Sequence, residues 1–145
     1  MDIIEQLKRD EGFRSKPYED TKGKLTVGYG HNLKAHPIEW ITPDTVITPE
    51  EAEDILHTDA SNVLEEMNEK LPWSQNLDDA RHGVLWNMGF NMGVPDLLTF
   101  KHTLLNVNYG NYEAAASSME KSEWYGEVGE RAVRLCAQMR TGQWV

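Results

Sequence analysis

Apolar residues recur at helical spacing over the first turns of the chain, then alternate, then return to helical spacing up to the end. Ile4, Leu7 and Glu11 share one helical face, which predicts a helix over 2–11. Asp2 and Glu5 open it as a capping-box-like pair, and Gly12 is its natural stop. Glu11 thus ends an apolar stripe, an unusual place for a carboxylate.

Residues 17–31 read as a β-hairpin turning at Thr21-Lys22-Gly23. On the return strand Leu25, Val27 and Tyr29 alternate onto one face, and Thr26, Gly28 and Gly30 onto the other. That second face is nearly bare, so a ligand is expected to approach its backbone closely. Residues 32–47, with Pro37 and Pro43, read as loop. Thr48-Pro49-Glu50-Glu51 then announces a helix, with Thr48 as N-cap, proline in the first turn and Glu51 closing a capping box. Its stripe is Ala52, Ile55, Leu56, Val63 and Met67, and Pro72 ends it. Roughly 20 helical residues span about 30 Å, the width of a small domain. From Leu77 onward the pattern predicts helices over about 77–91, 95–106, 109–121 and 127–140. The fold class expected is therefore α+β and mostly helical, in a single domain of residues 1–145.

Composition narrows the classes. With 145 residues, 39% hydrophobic and 26% charged, the chain is long enough for one domain with a real core. No apolar run approaches the roughly 20 residues that cross a bilayer, so no stable membrane insertion is expected. The start Met1-Asp2-Ile3-Ile4-Glu5 lacks the basic and apolar regions of a secretion signal, and a soluble chain without an export signal is the expectation. The single cysteine, Cys136, permits no internal disulfide and falls in an apolar helical pattern, as a small core residue would. The net charge of −10 argues against nucleic-acid binding and gives no electrostatic help in approaching an anionic polymer.

Three groups of residues carry candidate chemistry. Among 24 acidic residues, a pair such as Glu11 and Asp20 also fits a solvated charge and a turn-forming aspartate. Context separates the two: desolvation on an apolar face favours a protonated Glu11, whereas the wetter turn favours an ionised Asp20. Two carboxyls held in opposite protonation states are what glycoside hydrolysis uses. Thr26, on the bare strand face, is placed to hold a water. His31 and Asp59 form the second group. Asp59 lies on the stripe of the long helix, where a carboxylate wants a partner, and His31 is the partner expected, as a structural ion pair. Arg131, early in the last helix, is the third, either solvated or directed at Glu11. The five histidines show no ligand spacing, so neither a metal nor a cofactor is expected.

The string "DEGFRSKPYEDTKGKLTVGYGH", residues 10–31, resembles the N-terminal signature of phage-type lysozymes, glycoside hydrolase family 24. The resemblance continues through "ITPEEAEDIL", "NMGFNMG", "KSEWY" and "RTGQW", covers essentially the whole chain, and is strongest to the T-even phage branch. It implies a lysozyme-like two-lobed fold: a small β-hairpin lobe (about 12–50), a long connecting helix (about 51–70), and a helical C-terminal lobe (about 71–145, joined by helix 2–11), with a substrate cleft between the lobes. It implies a muramidase that cuts the β-1,4 bond between N-acetylmuramic acid and N-acetylglucosamine. Glu11 is then the general acid, Asp20 the base or electrostatic partner, and Thr26 the residue that positions water. His31 and Asp59 are supporting, and Arg131 falls where the family has an arginine near the acid. Phe90 matches a substrate-lining position; Asn32, Thr103 and Ser118 occupy others but depart in residue type.

The water-holding threonine favours an inverting displacement, which needs carboxyls roughly 6.5–9.5 Å apart. A lytic transglycosylase on the same substrate and a non-catalytic wall-binding relative are the alternatives. As an endolysin, the chain is expected to be a monomer acting on bacterial peptidoglycan, held in the host cytoplasm until a holin-type pore admits it to the cell wall.

Overall fold

A computed structural model describes all residues, 1–145. The chain runs α1 (Ile3–Glu11), β1 (Arg14–Glu19), β2 (Leu25–Gly28), β3 (His31–Asn32), α2 (Pro49–Lys70), a 3₁₀ turn (Pro72–Asn76), α3 (Asp79–Met92), α4 (Val94–Leu97), α5 (Lys101–Asn108), α6 (Tyr112–Glu120), α7 (Glu123–Val128) and α8 (Glu130–Thr141). It is the α+β, mostly helical class expected. No helix is long and apolar enough to cross a membrane. Two compact units divide the chain, Ile4–Asn62 and Val63–Val145 with Met1–Ile3.

The first unit holds the sheet, ordered β1-β2-β3 and antiparallel throughout. The expected hairpin over 17–31 becomes three strands, because Gly28 and Gly30 adopt φ of 64° and 74°. Left-handed residues end an extended run, so β2 stops at Gly28 and the chain turns back to pair Val27 with His31. The register slips between Arg14 and Tyr18, around Pro17, which has no N–H to give the ladder. Nor is the Thr26–Gly28 face bare. Thr26 and Gly28 are both buried, and a Cβ on Gly28 would meet Ala52 Cβ and Ile47 Cδ1 at 3.3 Å. Val27, Leu33, Ile47 and Ala52 form this unit's core, with Ile38, Ile41 and Ile55 packed on it. Residues of α1 from Ile4 onward group here too. Lys8 pairs with Glu53 and sits 5.6 Å over the Tyr29 ring.

The long helix starts as its sequence dictates. Thr48 N–H donates to Glu51 Oε1 (2.9 Å), and Glu51 N–H donates to Thr48 Oγ1 (3.1 Å). The second unit packs α3 to α8 around Met88, Leu97, Met119, Leu135 and Met139. Two of its elements differ from the sequence pattern. The helix expected over 95–106 breaks at Leu98–Phe100, where Thr99 Oγ1 and N–H both return to the Asp96 carbonyl. The helix expected over 127–140 starts only at Glu130, because a separate helix, α7, covers Glu123–Val128, capped by Ser122 accepting from Tyr125 N–H and closed by Gly129 at φ 74°. Trp144 lies against Gly83, whose missing side chain makes the room, a Cβ there falling 2.8 Å from Trp144 Cζ3.

Candidate active site

Glu11 is the last residue of α1, after which Gly12 takes φ 70° and its N–H closes onto the Lys8 carbonyl at 3.0 Å. The half-buried Glu11 side chain lies over the Cα of Gly30: a Cβ on Gly30 would fall 2.8 Å from Glu11 Cδ and closer still to Oε1. The glycine that ends the expected bare face is thus the floor under the carboxyl.

Asp20 stands between β1 and the turn. Its Oδ1 accepts from the N–H groups of Lys22 (2.9 Å) and Lys24 (2.8 Å), while its own N–H donates to the Lys24 carbonyl (2.9 Å). Gly23, at φ 76°, closes the turn by donating to the Asp20 carbonyl. The buried Thr26 gives its hydroxyl proton to that same Lys24 carbonyl at 2.9 Å. One peptide residue therefore fixes both side chains: the N–H of Lys24 holds Asp20 and its C=O holds Thr26. Sequence reading passed over Lys24, because the role belongs to its backbone. A threonine oxygen whose proton is committed offers acceptor lone pairs, and so does the remaining carboxylate oxygen. Asp20 and Thr26 together are thus a pair of acceptors.

His31 and Asp59 pair as expected, Nδ1 to Oδ2 at 2.7 Å. Nε2 lies 2.7 Å from the His36 carbonyl, which can only accept, so both ring nitrogens donate. Burial works against the charged ring, but the Asp59 hydrogen bond, the His36 carbonyl and the Asp59 charge outweigh it and raise the imidazole above its ordinary range. Asp10, not singled out from sequence, has an almost fully buried carboxylate beside Glu11 and takes Arg9 Nε at 3.2 Å.

Arg131, at the start of α8, donates Nε to Asn87 Oδ1 at 2.9 Å. Asn87 is fully buried, a partner 44 residues away that no local pattern signals. Of the substrate-lining expectations, Thr103 and Ser118 come together: Thr103 Oγ1 donates to Ser118 Oγ at 3.0 Å. Thr103 is 1% exposed and Ser118 half-buried. Phe90 is half-buried on α3. Asn32 spends its side-chain oxygen on the N–H groups of Lys34 and Ala35, both at 3.0 Å. Burial pushes the Cys136 thiol up to about 12, in keeping with a core residue.

The strings that carried the resemblance have structural roles. In "NMGFNMG", Asn87 holds Arg131, Asn91 accepts from Trp124 Nε1 at 2.9 Å, and Gly93 caps α3. In "KSEWY", Ser122 caps α7. In "RTGQW", Gly142 ends α8 at φ 70°.

Known proteins agree with this frame. The chain is 29% identical to the probable T4-type lysozyme 1 of Dictyostelium discoideum, over 97% of this chain and 94% of that one. It is 31% identical to the endolysin of Salmonella phage P22, over 79% of this chain and 76% of that one. It is 30% identical to the pre-baseplate central spike protein Gp5 of Enterobacteria phage T4, over 98% of this chain but 28% of that protein. The family model described as phage lysozyme matches residues 8–138, and the chain belongs to that family.

Proposed function

We propose that the protein is a peptidoglycan hydrolase, cutting the β-1,4 bond between N-acetylmuramic acid and N-acetylglucosamine by single-displacement, inverting hydrolysis. The observation that carries this reading is the shared anchor at Lys24, which leaves Asp20 and Thr26 as two acceptors fixed by one residue. A water that gives one proton to each keeps a lone pair for the anomeric carbon. Glu11 protonates the departing oxygen, so the C–O bond breaks without expelling an alkoxide, while Asp20 takes the proton that the attacking water loses. The charge of Asp20 also stabilises the oxocarbenium-like transition state. Arg131, held by Asn87, is assigned a supporting role. Phe90 and Ser118 are assigned to the sugar, with Thr103 acting through Ser118. The half-buried Asn32 is assigned there through its remaining amide group. The enzyme acts as a monomer, without metal or cofactor, once a holin-type pore lets it from the host cytoplasm to the wall.

Glu11→Gln keeps the size of the side chain and removes its proton. We expect loss of wall lysis by at least about 100-fold, the typical contribution of a general acid, with an unchanged melting curve. Lysis of permeabilised bacteria at the parent rate would refute the assignment of the acid. The reducing-end anomer, read by NMR immediately after cleavage, tests the displacement: a retained anomer refutes inversion. A product lighter by one water in mass spectrometry would identify the transglycosylase instead.

A further inference from the structure

The unit Ile4–Asn62 contains a groove of about 600 Å³ that shares no lining residue with Glu11, Asp20 or Thr26. Loop residues His36 to Trp40 line it together with positions of α2 from Glu51 to Asn62. The loop is anchored. Ile38 and Ile41 turn inward onto the core, and Ile41 N–H closes onto the Ile38 carbonyl at 3.0 Å. Trp40, the bulkiest residue of that turn, stays outside at 51% exposure and lines the groove. Thr58, Asn62 and Asp54 also line it and supply hydrogen-bonding groups.

Three carboxylates line the groove, and one of them is paired with a neighbouring side chain. Asp59 is matched by His31, and Glu51 accepts from Thr48 N–H. Asp54 makes no ion pair and lies in a lining that also includes His36. Such a groove repels an anion and offers Glu51 and Asp54 as acceptors to hydroxyl or N–H donors. A flat aromatic face beside carboxylate acceptors, the Thr58 hydroxyl and the Asn62 amide suits a neutral polyol whose C–H face lies on the ring and whose hydroxyls meet the rim. The volume falls in the range of small-ligand sites, roughly 300–1,000 Å³.

We infer that this groove holds an N-acetylhexosamine of the glycan strand, stacked on Trp40, as a second sugar site separate from the catalytic residues. It rests on the reading of the protein as a wall-glycan hydrolase, but not on the roles given to Glu11, Asp20 and Thr26. It supplies adsorption that a chain of net charge −10 does not obtain from charge.

The test titrates the full-length protein with N,N′,N″-triacetylchitotriose and follows NMR signals. The Trp40 indole N–H and the Thr58 and Asn62 amides should shift together along one saturation curve. Trp40→Phe should keep the site, and Trp40→Ala should weaken it by about tenfold or more, as loss of a central aromatic contact does. Shifts confined to the surroundings of Glu11, Asp20 and Thr26, or none at millimolar sugar, would overturn the inference. So would shifts at Trp40 caused by the tripeptide Ala-γ-Glu-Lys and not by the sugar, which would make the groove a site for a cationic stem peptide. The readout is independent of turnover: active lysis with an unmoved Trp40 sinks the groove alone, and a moved Trp40 without lysis sinks the hydrolase alone.

Discussion

Gly30→Ala tests whether the position of the Glu11 carboxyl matters. The added Cβ would sit 2.8 Å from Glu11 Cδ, where carbon pairs prefer about 3.5–4.0 Å, so the carboxyl must retreat by about 1 Å. Two costs follow. Alanine at φ 74° is strained by about 1–2 kcal/mol, and a side chain forced off its rotamer adds about 1 kcal/mol. Together they take about 2–3 kcal/mol from a stability that is typically about 5–15 kcal/mol, so the variant still folds. A catalytic group displaced by about 1 Å costs about 100-fold in rate, or about 2.7 kcal/mol of barrier. Gly110→Ala is the control: its φ is 79° but nothing lies within 4 Å of the added methyl. It should lose the strain energy alone and keep its activity. The assay is turbidity loss of permeabilised bacteria, at a temperature where circular dichroism shows both variants folded. A folded Gly30→Ala enzyme that lyses at the parent rate would show that the carboxyl does not act from where it lies.

Other perturbations have definite outcomes. The imidazole of His31 is raised in the folded protein, so its pairing stabilises fully below the unfolded value of about 6.5 and is lost as pH rises through the folded value. Asp59→Asn should cost about 3 kcal/mol near pH 5.5, with the gap to the parent narrowing at higher pH; a gap constant up to pH 9 would refute the charged pair. Cys136, buried and with its thiol near 12, should resist a disulfide reagent at pH 8 until the protein unfolds; rapid native labelling would contradict its place in the core. Arg81 donates to the Met139 and Arg140 carbonyls at the end of α8 and lies 3.7 Å over the Tyr112 ring. Arg81→Met should lower stability by about 2–3 kcal/mol, seen as an earlier urea midpoint.

What the sequence discloses depends on how local the cause is. The end of α1, the turn after Asp20 and the capping box at Thr48 are settled within a few residues, and each lies where the pattern predicts. The turn at Tyr29-Gly30 was hidden, because alternation cannot separate a strand glycine from one at positive φ. The break at Thr99 was hidden for a related reason: neither glycine nor proline marks it, only a hydroxyl competing for the Asp96 carbonyl. α7 was obscured because Gly126 sits inside a helix. In the site, Glu11, Asp20 and Thr26 were legible as residue types. The Lys24 peptide that joins two of them was not, since any side chain supports that role. Asn87 with Arg131 and Thr103 with Ser118 are tertiary pairs, invisible to any local pattern.

Two of the three proposed catalytic side chains share a mode of support that bears on the acidic charge. Asp20 is fixed by backbone N–H groups and Thr26 by a backbone C=O, while the missing side chain of Gly30 leaves room for the Glu11 carboxyl. Neither of the two backbone anchors requires a long charged residue to be immobilised, so little rotamer entropy is lost in ordering Asp20 and Thr26. Nor do they depend on net charge: a backbone dipole within hydrogen-bond distance acts directly, whereas exposed charges are screened beyond about 8 Å at physiological salt. The local geometry can therefore persist while the surface drifts to −10. What such drift alters is the encounter with an anionic wall, a long-range and salt-dependent step. Neutral contacts such as stacking on Trp40 are insensitive to that field, which makes them the means by which an acidic member of this family would hold its substrate.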